Sequence, residues 1–325
     1  MLTFKLCAER MIQRMKLSPR AVGLTTAIIT VVIWSSFIVV ARASAAHSLM
    51  PLDIAFLRIL GAGCVLLPWG WWLMRHHRRA GEPVGSLMGL SPLPLRITAV
   101  AGLFGSMFYA MLAYAGFFFA PAAHASVLMP GSLPLWTSLL AIVLLHERIT
   151  PMRAMGLACI VLGDVMVGGA SLLKAFDGGN VWKGDLLFVT AAMSWATYTV
   201  LVRRHALDPV RATIAITAFS CMTFVPAYAM LAALGVIPSH LGTAPVAEMV
   251  FQAIYQGVGS VVISGITFNL MIRHYGPVRS TMITALVPGL SALGAVVFLN
   301  EPMQLNLLVG LALVTSGILF GVRKS

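Results

Sequence analysis

Long apolar runs follow one another along this chain, separated by short polar breaks. A helix needs about twenty apolar residues to cross the hydrocarbon layer of a bilayer. By that measure the pattern predicts spanning helices over 21–41, 53–74, 97–119, 124–145, 152–171, 183–202, 211–233, 249–272, 278–299 and 303–322. The expected fold is all-α and integral to a membrane, with ten transmembrane helices. Pro130, Pro134 and Pro288 fall inside the fourth and ninth runs. Proline breaks helices in water, but a membrane helix tolerates it where neighbouring groups take over the freed backbone.

The pattern also repeats. Gly23, Trp34, Val39 and Arg42 recur as Gly184, Trp195, Val200 and Arg203, at a constant offset of 161. Farther on, Pro134, Leu145, Glu147, Gly156 and Gly163 recur as Pro288, Leu299, Glu301, Gly310 and Gly317, at an offset of 154. The smaller offset suits a longer connection in the first half, at 75–96. Each half holds five spans, and an odd number forces the second copy to sit upside down relative to the first. The chain thus divides into a basic segment 1–20, a five-helix repeat 21–171, a linker 172–182 and an inverted five-helix repeat 183–322. Glu147 is expected at the cytoplasmic face and Glu301 at the outer one. Inverted repeats around a central site are a recurrent architecture of secondary carriers, because exchanging the conformations of the halves opens first one side and then the other.

Charge supplies the orientation. With ten spans, one side receives eighteen of the 22 Lys and Arg residues, the other receives Arg42, Lys174 and Lys183, and Arg58 lies within the second span. Basic residues collect on cytoplasmic loops. Both termini and the 75–96 connection are therefore expected in the cytoplasm, the linker 172–182 outside, and the whole in a bacterial inner membrane. Met1 to Arg20 has no uninterrupted apolar stretch followed by a small-residue cleavage site, so it reads as a basic cytoplasmic extension.

Composition narrows the classes. Of 325 residues 59% are apolar and 10% charged, against about 25% charged in soluble domains. A net charge of +12 would raise nucleic acid as a partner of a soluble protein. Here the loop charges account for it, and the expected partners are the lipid bilayer and a small-molecule substrate. Monomer and homodimer both stay open. Cys7, Cys64, Cys159 and Cys221 include no Cys-x-x-Cys pair, so neither a disulfide framework nor a metal site is expected. No His-Glu-x-x-His, Gly-x-Ser-x-Gly or phosphate-binding loop occurs, and neither enzymatic activity nor a cofactor is expected.

Specific segments carry a resemblance. The first half contains Trp34-Ser35-Ser36-Phe37 with Arg42, Phe56-Leu57-Arg58, Tyr114-Ala115, Ala120-Pro121, Leu128-Met129-Pro130 and Leu145-His146-Glu147-Arg148. The second contains Arg273-His274-Tyr275-Gly276-Pro277, Ala285-Leu286-Val287-Pro288 and Leu299-Asn300-Glu301-Pro302. Over about residues 21–322 the chain resembles the EamA-type branch of the drug/metabolite transporter superfamily. That resemblance implies ten helices in two inverted repeats. With the duplication it implies a secondary carrier exporting amino acids or related small metabolites. Carriage of a nucleoside, a cofactor precursor or an amphipathic drug stays open, as does a membrane enzyme or scaffold without transport. Ile216 stands where Arg58 would recur, so the two halves of the site are not equivalent.

Thr30, Trp34, Phe37 and Ala41 share a helical face by their spacing of three and four; their repeat mates are Ala191, Trp195, Tyr198 and Val202. One reading has both faces lining a central cavity whose aromatic rings cover a small organic solute. The other makes the tryptophans packing or interfacial residues. Tyr109, Tyr114, Tyr255, Asn269 and His124 bring polar atoms into spans or to their ends, either as solute contacts or as hydrogen bonds between helices. Arg58 and Asp164 are charges inside apolar runs, where an unpaired ion is penalised and function is the default expectation. Their depths match, so a mutual ion pair and a solute-binding Arg58 are both open. The candidate substrate-binding set is thus Trp34, Phe37, Arg58, Tyr109, Tyr114, Trp195, Tyr198, Tyr255 and Asn269. Gly156 with Gly163, and Gly310 with Gly317, are each seven apart and predict close helix packing.

Overall fold

The computed structural model describes residues 19–45, 47–79, 85–147, 149–175, 179–284 and 286–322. Regular structure among them is helical, apart from one isolated bridge between Ser86 and Ser91. The helices are α1 (Pro19–Ala45), α2 (Pro51–Arg79), α3 (Leu95–Phe119), α4 (Ala122–Leu145), α5 (Pro151–Ala175), α6 (Val181–Arg204), α7 (Pro209–Ala233), α8 (Val246–Tyr275), α9 (Pro277–Leu299) and α10 (Leu305–Val322). Among the described residues, eight helices, α1–α4 and α6–α9, are long and apolar enough to cross a membrane. Two further helices are α5 and the shorter, apolar α10. Each helix covers one predicted run. Almost all of the basic segment 1–20 lies outside the described residues, and α5 runs on to Ala175, which shortens the linker expected at 172–182.

Proline marks where most of these helices begin. Pro19, Pro51, Pro151, Pro209 and Pro277 are first residues, while Pro94, Pro121 and Pro245 stand immediately before α3, α4 and α8. At a helix start the missing N–H has no intrahelical partner to lose, and the fixed φ is already helical. Asp208 adds a side-chain cap before α7, accepting from the N–H of Val210 at 3.1 Å and Arg211 at 3.0 Å. The carboxylate of Asp53, fully buried in the first turn of α2, accepts from the N–H of Met50 and His240, each at 2.9 Å, and from the hydroxyls of Ser239 and Tyr228. It thereby ties the α7–α8 connection to α2, two segments that the charge pattern assigns to the same membrane face.

Packing follows the duplication. α4 lies against α6 as α9 lies against α1; α3 meets α6 as α8 meets α1; and α2 meets α8 as α7 meets α3. α2 with α7, and α5 with α10, pair across the pseudo-symmetry axis. The α5–α10 interface is the most extensive and uses the glycines expected to pack. A Cβ on Gly163 would sit 2.7 Å from the carbonyl oxygen of Gly310 and 2.7 Å from a Val314 methyl. Only a hydrogen lets the backbones approach so closely. On α1, Leu24, Ile28 and Val32 form an exposed apolar stripe at four-residue spacing, whereas Thr30, Phe37 and Ala41 are buried. One face thus suits lipid and the other the bundle.

Departures from regular α-helix also come in mates. α3 winds as π-helix over Leu103–Phe108 and α8 over Ala253–Ile263, in equivalent repeat positions. A wider turn shifts the face that the following residues present, and such turns gather at functional sites. α9 has a turn at Thr284.

Candidate functional site

The two aromatic faces converge. A cavity of about 30 Å³ between the halves is lined by Trp34, Phe37 and Ile38 of α1, Tyr109 of α3, Met129, Pro130 and Leu133 of α4, Ala192 and Trp195 of α6, and Val287 of α9. Trp34 and Trp195 meet edge to face with ring centroids 5.9 Å apart, and Tyr109 lies 4.9 Å from Trp195. Phe268 of α8 supports Trp34 from 4.7 Å. Edge-to-face contact suits the ring quadrupoles, and the lining encloses little space. The volume is far below that of a drug-sized pocket, and the rings occupy most of the centre.

Beside this cavity lies a buried cation. Arg58 of α2 is 6% exposed. Its guanidinium carbon stands 5.4 Å from the centroid of Phe37 and 5.9 Å from that of Tyr109, two of the lining rings. Nη1 donates to the Ser260 hydroxyl of α8 at 2.9 Å and makes a longer contact of 3.4 Å with the Tyr114 hydroxyl. No carboxylate pairs with Arg58 among the described residues. The ion pair with Asp164 does not form: Oδ1 of Asp164 is buried without a hydrogen-bond partner. Equal depth is not equal azimuth. α2 packs on α3, α7 and α8, whereas α5, which carries Asp164, packs on α4, α6 and α10.

The remaining candidates disperse. Tyr198 is buried behind Trp195 at 5.2 Å, and its hydroxyl accepts from Nδ2 of Asn269 at 2.7 Å. Asn269 Nδ2 also reaches Thr213 Oγ1 at 3.2 Å, so this pair knits α6, α7 and α8. Tyr255 donates to Ser36 Oγ at 2.7 Å, a contact between α8 and α1. Thr30 meets Thr267 at 2.8 Å across the same two helices. His124 pairs with Asp185 of α6, Nδ1 to Oδ1, at 2.9 Å. Trp34, Phe37, Tyr109 and Trp195 therefore line the cavity, Arg58 and Tyr114 flank it, and Tyr198, Asn269 and Tyr255 make helix-to-helix hydrogen bonds.

Sequence reasoning missed a polar ladder on α8. Gln252, Gln256 and Ser260 recur every four residues and all are buried. Gln252 donates to Ser44 Oγ of α1 at 2.6 Å and Ser260 accepts from Arg58, but both amide atoms of Gln256 lack partners. The spacing was legible as a stripe; its meaning depends on Arg58 arriving from another helix.

Helices of membrane-spanning length, a duplicated architecture and a central cavity between the copies define a membrane transporter fold. Two segments, 21–169 and 182–323, each match the model of the EamA-like transporter family, and the chain belongs to that family. An uncharacterized transporter of Archaeoglobus fulgidus is 23% identical over 300 residues, 91% of this chain and 96% of its own. The uncharacterized transporter YyaM of Bacillus subtilis is 22% identical over 238 residues, 71% of this chain and 75% of its own. A solved structure, titled only as the crystal structure of a protein, shares the fold with a TM-score of 0.59. It is 23% identical, and the match covers 93% of this chain and 98% of that one.

Proposed function

We propose that this protein is a secondary carrier of ten membrane-spanning helices that exports amino acids or related small carboxylate-bearing metabolites by alternating access at the cavity between its inverted halves. The observation that carries this reading is Arg58. A guanidinium held at membrane depth without an acidic partner is costly. A solute carboxylate arriving between α2 and α8 would meet its planar fork in bidentate geometry. Trp34, Tyr109 and Trp195 supply apolar cover for the rest of a small solute, while Ser260 and Tyr114 supply hydroxyl groups beside the charge.

Counterflow in proteoliposomes tests the substrate class. Vesicles preloaded with unlabelled amino acids are expected to accumulate labelled amino acid of the same kind. Accumulation with nucleosides alone would replace the substrate class, and accumulation with no small solute would remove the transport reading.

Orientation is the second expectation. The charge pattern supports cytoplasmic termini and a cytoplasmic 75–96 connection, with 172–182 outside. Cysteines introduced at these segments should react with a membrane-impermeant reagent from intact cells only within 172–182. External labelling within 75–96 would overturn both the orientation and the inversion of the halves.

A further inference from the structure

The duplicated chain carries two Arg–Glu pairs, and only one of them is joined. At the end of α1, Nε of Arg42 donates to Oε1 of Glu301 at 3.2 Å, and Nη1 donates to the carbonyl of Phe117 at 2.7 Å. The same carboxylate accepts from the backbone N–H of Ala122 at 3.1 Å and Ala123 at 3.0 Å, the first residues of α4. The Arg42–Glu301 pair thus ties α1, the end of α3, the start of α4 and the segment after α9. The Glu301 side chain is 13% exposed.

Arg203 and Glu147, their repeat mates, sit at the opposite end. The backbones that launch the two glutamates are alike. His146 and Asn300, just before them, are both left-handed, with φ of 55° and 53°. The N–H of Glu147 donates to Ala141 at 3.3 Å, and that of Glu301 donates to Ala295 at 3.2 Å. Yet the Glu147 side chain is 37% exposed, and among the described residues its ion-pair partner is Arg153, at 3.6 Å. Arg203 is exposed and has no ion pair among the described residues. A cavity of about 200 Å³ separates Glu147 and Arg203 from Val278 and Arg279 at the start of α9. Those two residues follow Pro277 at the start of α9 as Ala122 and Ala123 follow Pro121 at the start of α4. Equal local backbone with unequal docking locates the difference in how the two halves lie against each other.

We infer that Arg42–Glu301 and Arg203–Glu147 are the two latches of one alternating gate, and that the cavity at Glu147 is the mouth of the cytoplasmic route. When the Arg42–Glu301 latch opens, Glu147 leaves Arg153, docks at the start of α9 and pairs with Arg203, closing that mouth. Each latch stabilises only the state in which it is closed, so removing it shifts the population toward the other state. The inference rests on the alternating-access reading above and on the orientation given by charge.

Met129→Cys places a thiol in the central cavity for labelling from outside with a membrane-impermeant maleimide, with the parent chain measuring the native cysteines. Glu301→Gln in that background should speed labelling about tenfold, the shift that one charge-assisted contact gives to a two-state equilibrium. Glu147→Gln and Arg203→Gln should each slow it by about as much. The exchanged pair, Glu147→Arg with Arg203→Glu, keeps the charge attraction but not the N–H contacts, so it should recover part of the parent rate, and this separates a latch from a simple folding defect. If Glu301→Gln speeds labelling while Glu147→Gln and Arg203→Gln leave it unchanged or speed it, the second latch is overturned and alternating access stands. If Met129→Cys is labelled from neither face in any variant, alternating access fails and the gate with it.

Discussion

Arg58→Ala is expected to abolish transport of the proposed carboxylate-bearing solute, a loss of about a hundredfold or more, with inserted protein near normal abundance. Truncating one member of a buried charge pair costs about 2–5 kcal/mol or more, and in the proposed function the partner is the solute. Removing a guanidinium that no acid compensates also relieves the penalty of holding an ion at membrane depth. Thermal stability in detergent is therefore expected to hold or rise, whereas a structural ion pair would predict a fall. Arg58→Lys keeps the charge but loses the planar fork, and is expected to retain a small part of the activity. Asp164→Ala should not rescue Arg58→Ala, because the two side chains do not pair. Uptake assays and melting curves on the same preparations decide it; a joint loss of stability and transport would return Arg58 to a structural role.

Trp34→Ala is the second variant expected to lose most of its transport, tenfold or more, without loss of folded protein. Trp34 is half-buried at the cavity wall, whereas Trp195 is 8% exposed and touches Trp34, Tyr109, Tyr198 and Phe268. Deleting a buried tryptophan costs about 3–5 kcal/mol through lost transfer energy and the cavity left behind. Trp195→Ala should therefore lower stability and transport together. Trp195→Phe keeps most of the packing and isolates any effect on the solute. Comparing inserted protein with initial uptake rates separates the readings: for Trp34→Ala, transport falling only in step with protein would make the ring a packing residue.

Much of the architecture is written along the chain. In a bilayer every backbone group must be satisfied within its own segment, so run length and hydropathy are enough to find the helices, and prolines such as Pro51, Pro209 and Pro277 mark their starts. The duplication is visible because Trp34 and Trp195, or Glu147 and Glu301, keep constant offsets. The helical spacing of Trp34 and Phe37, repeated at Trp195 and Tyr198, already names two faces; the structure brings Trp34, Phe37 and Trp195 to the cavity and leaves Tyr198 behind it.

Other features belong to the tertiary structure alone. Sequence yields the depth of a residue in its span but not the direction in which it points relative to other helices. Arg58 and Asp164 therefore look matched in the chain, while α2 and α5 pack on different neighbours. The contacts of Arg58 with Ser260, of His124 with Asp185 and of Asn269 with Tyr198 each join residues from separate helices, and no local pattern encodes them. The π-helical turns of α3 and α8 add a rotation that hydropathy does not register. The two Arg–Glu pairs state the division most plainly. Sequence makes Glu147 and Glu301 mates and the residues before them share a left-handed backbone, but only the packing of separate helices shows that Glu301 is docked on α4 while Glu147 is half-exposed beside Arg153.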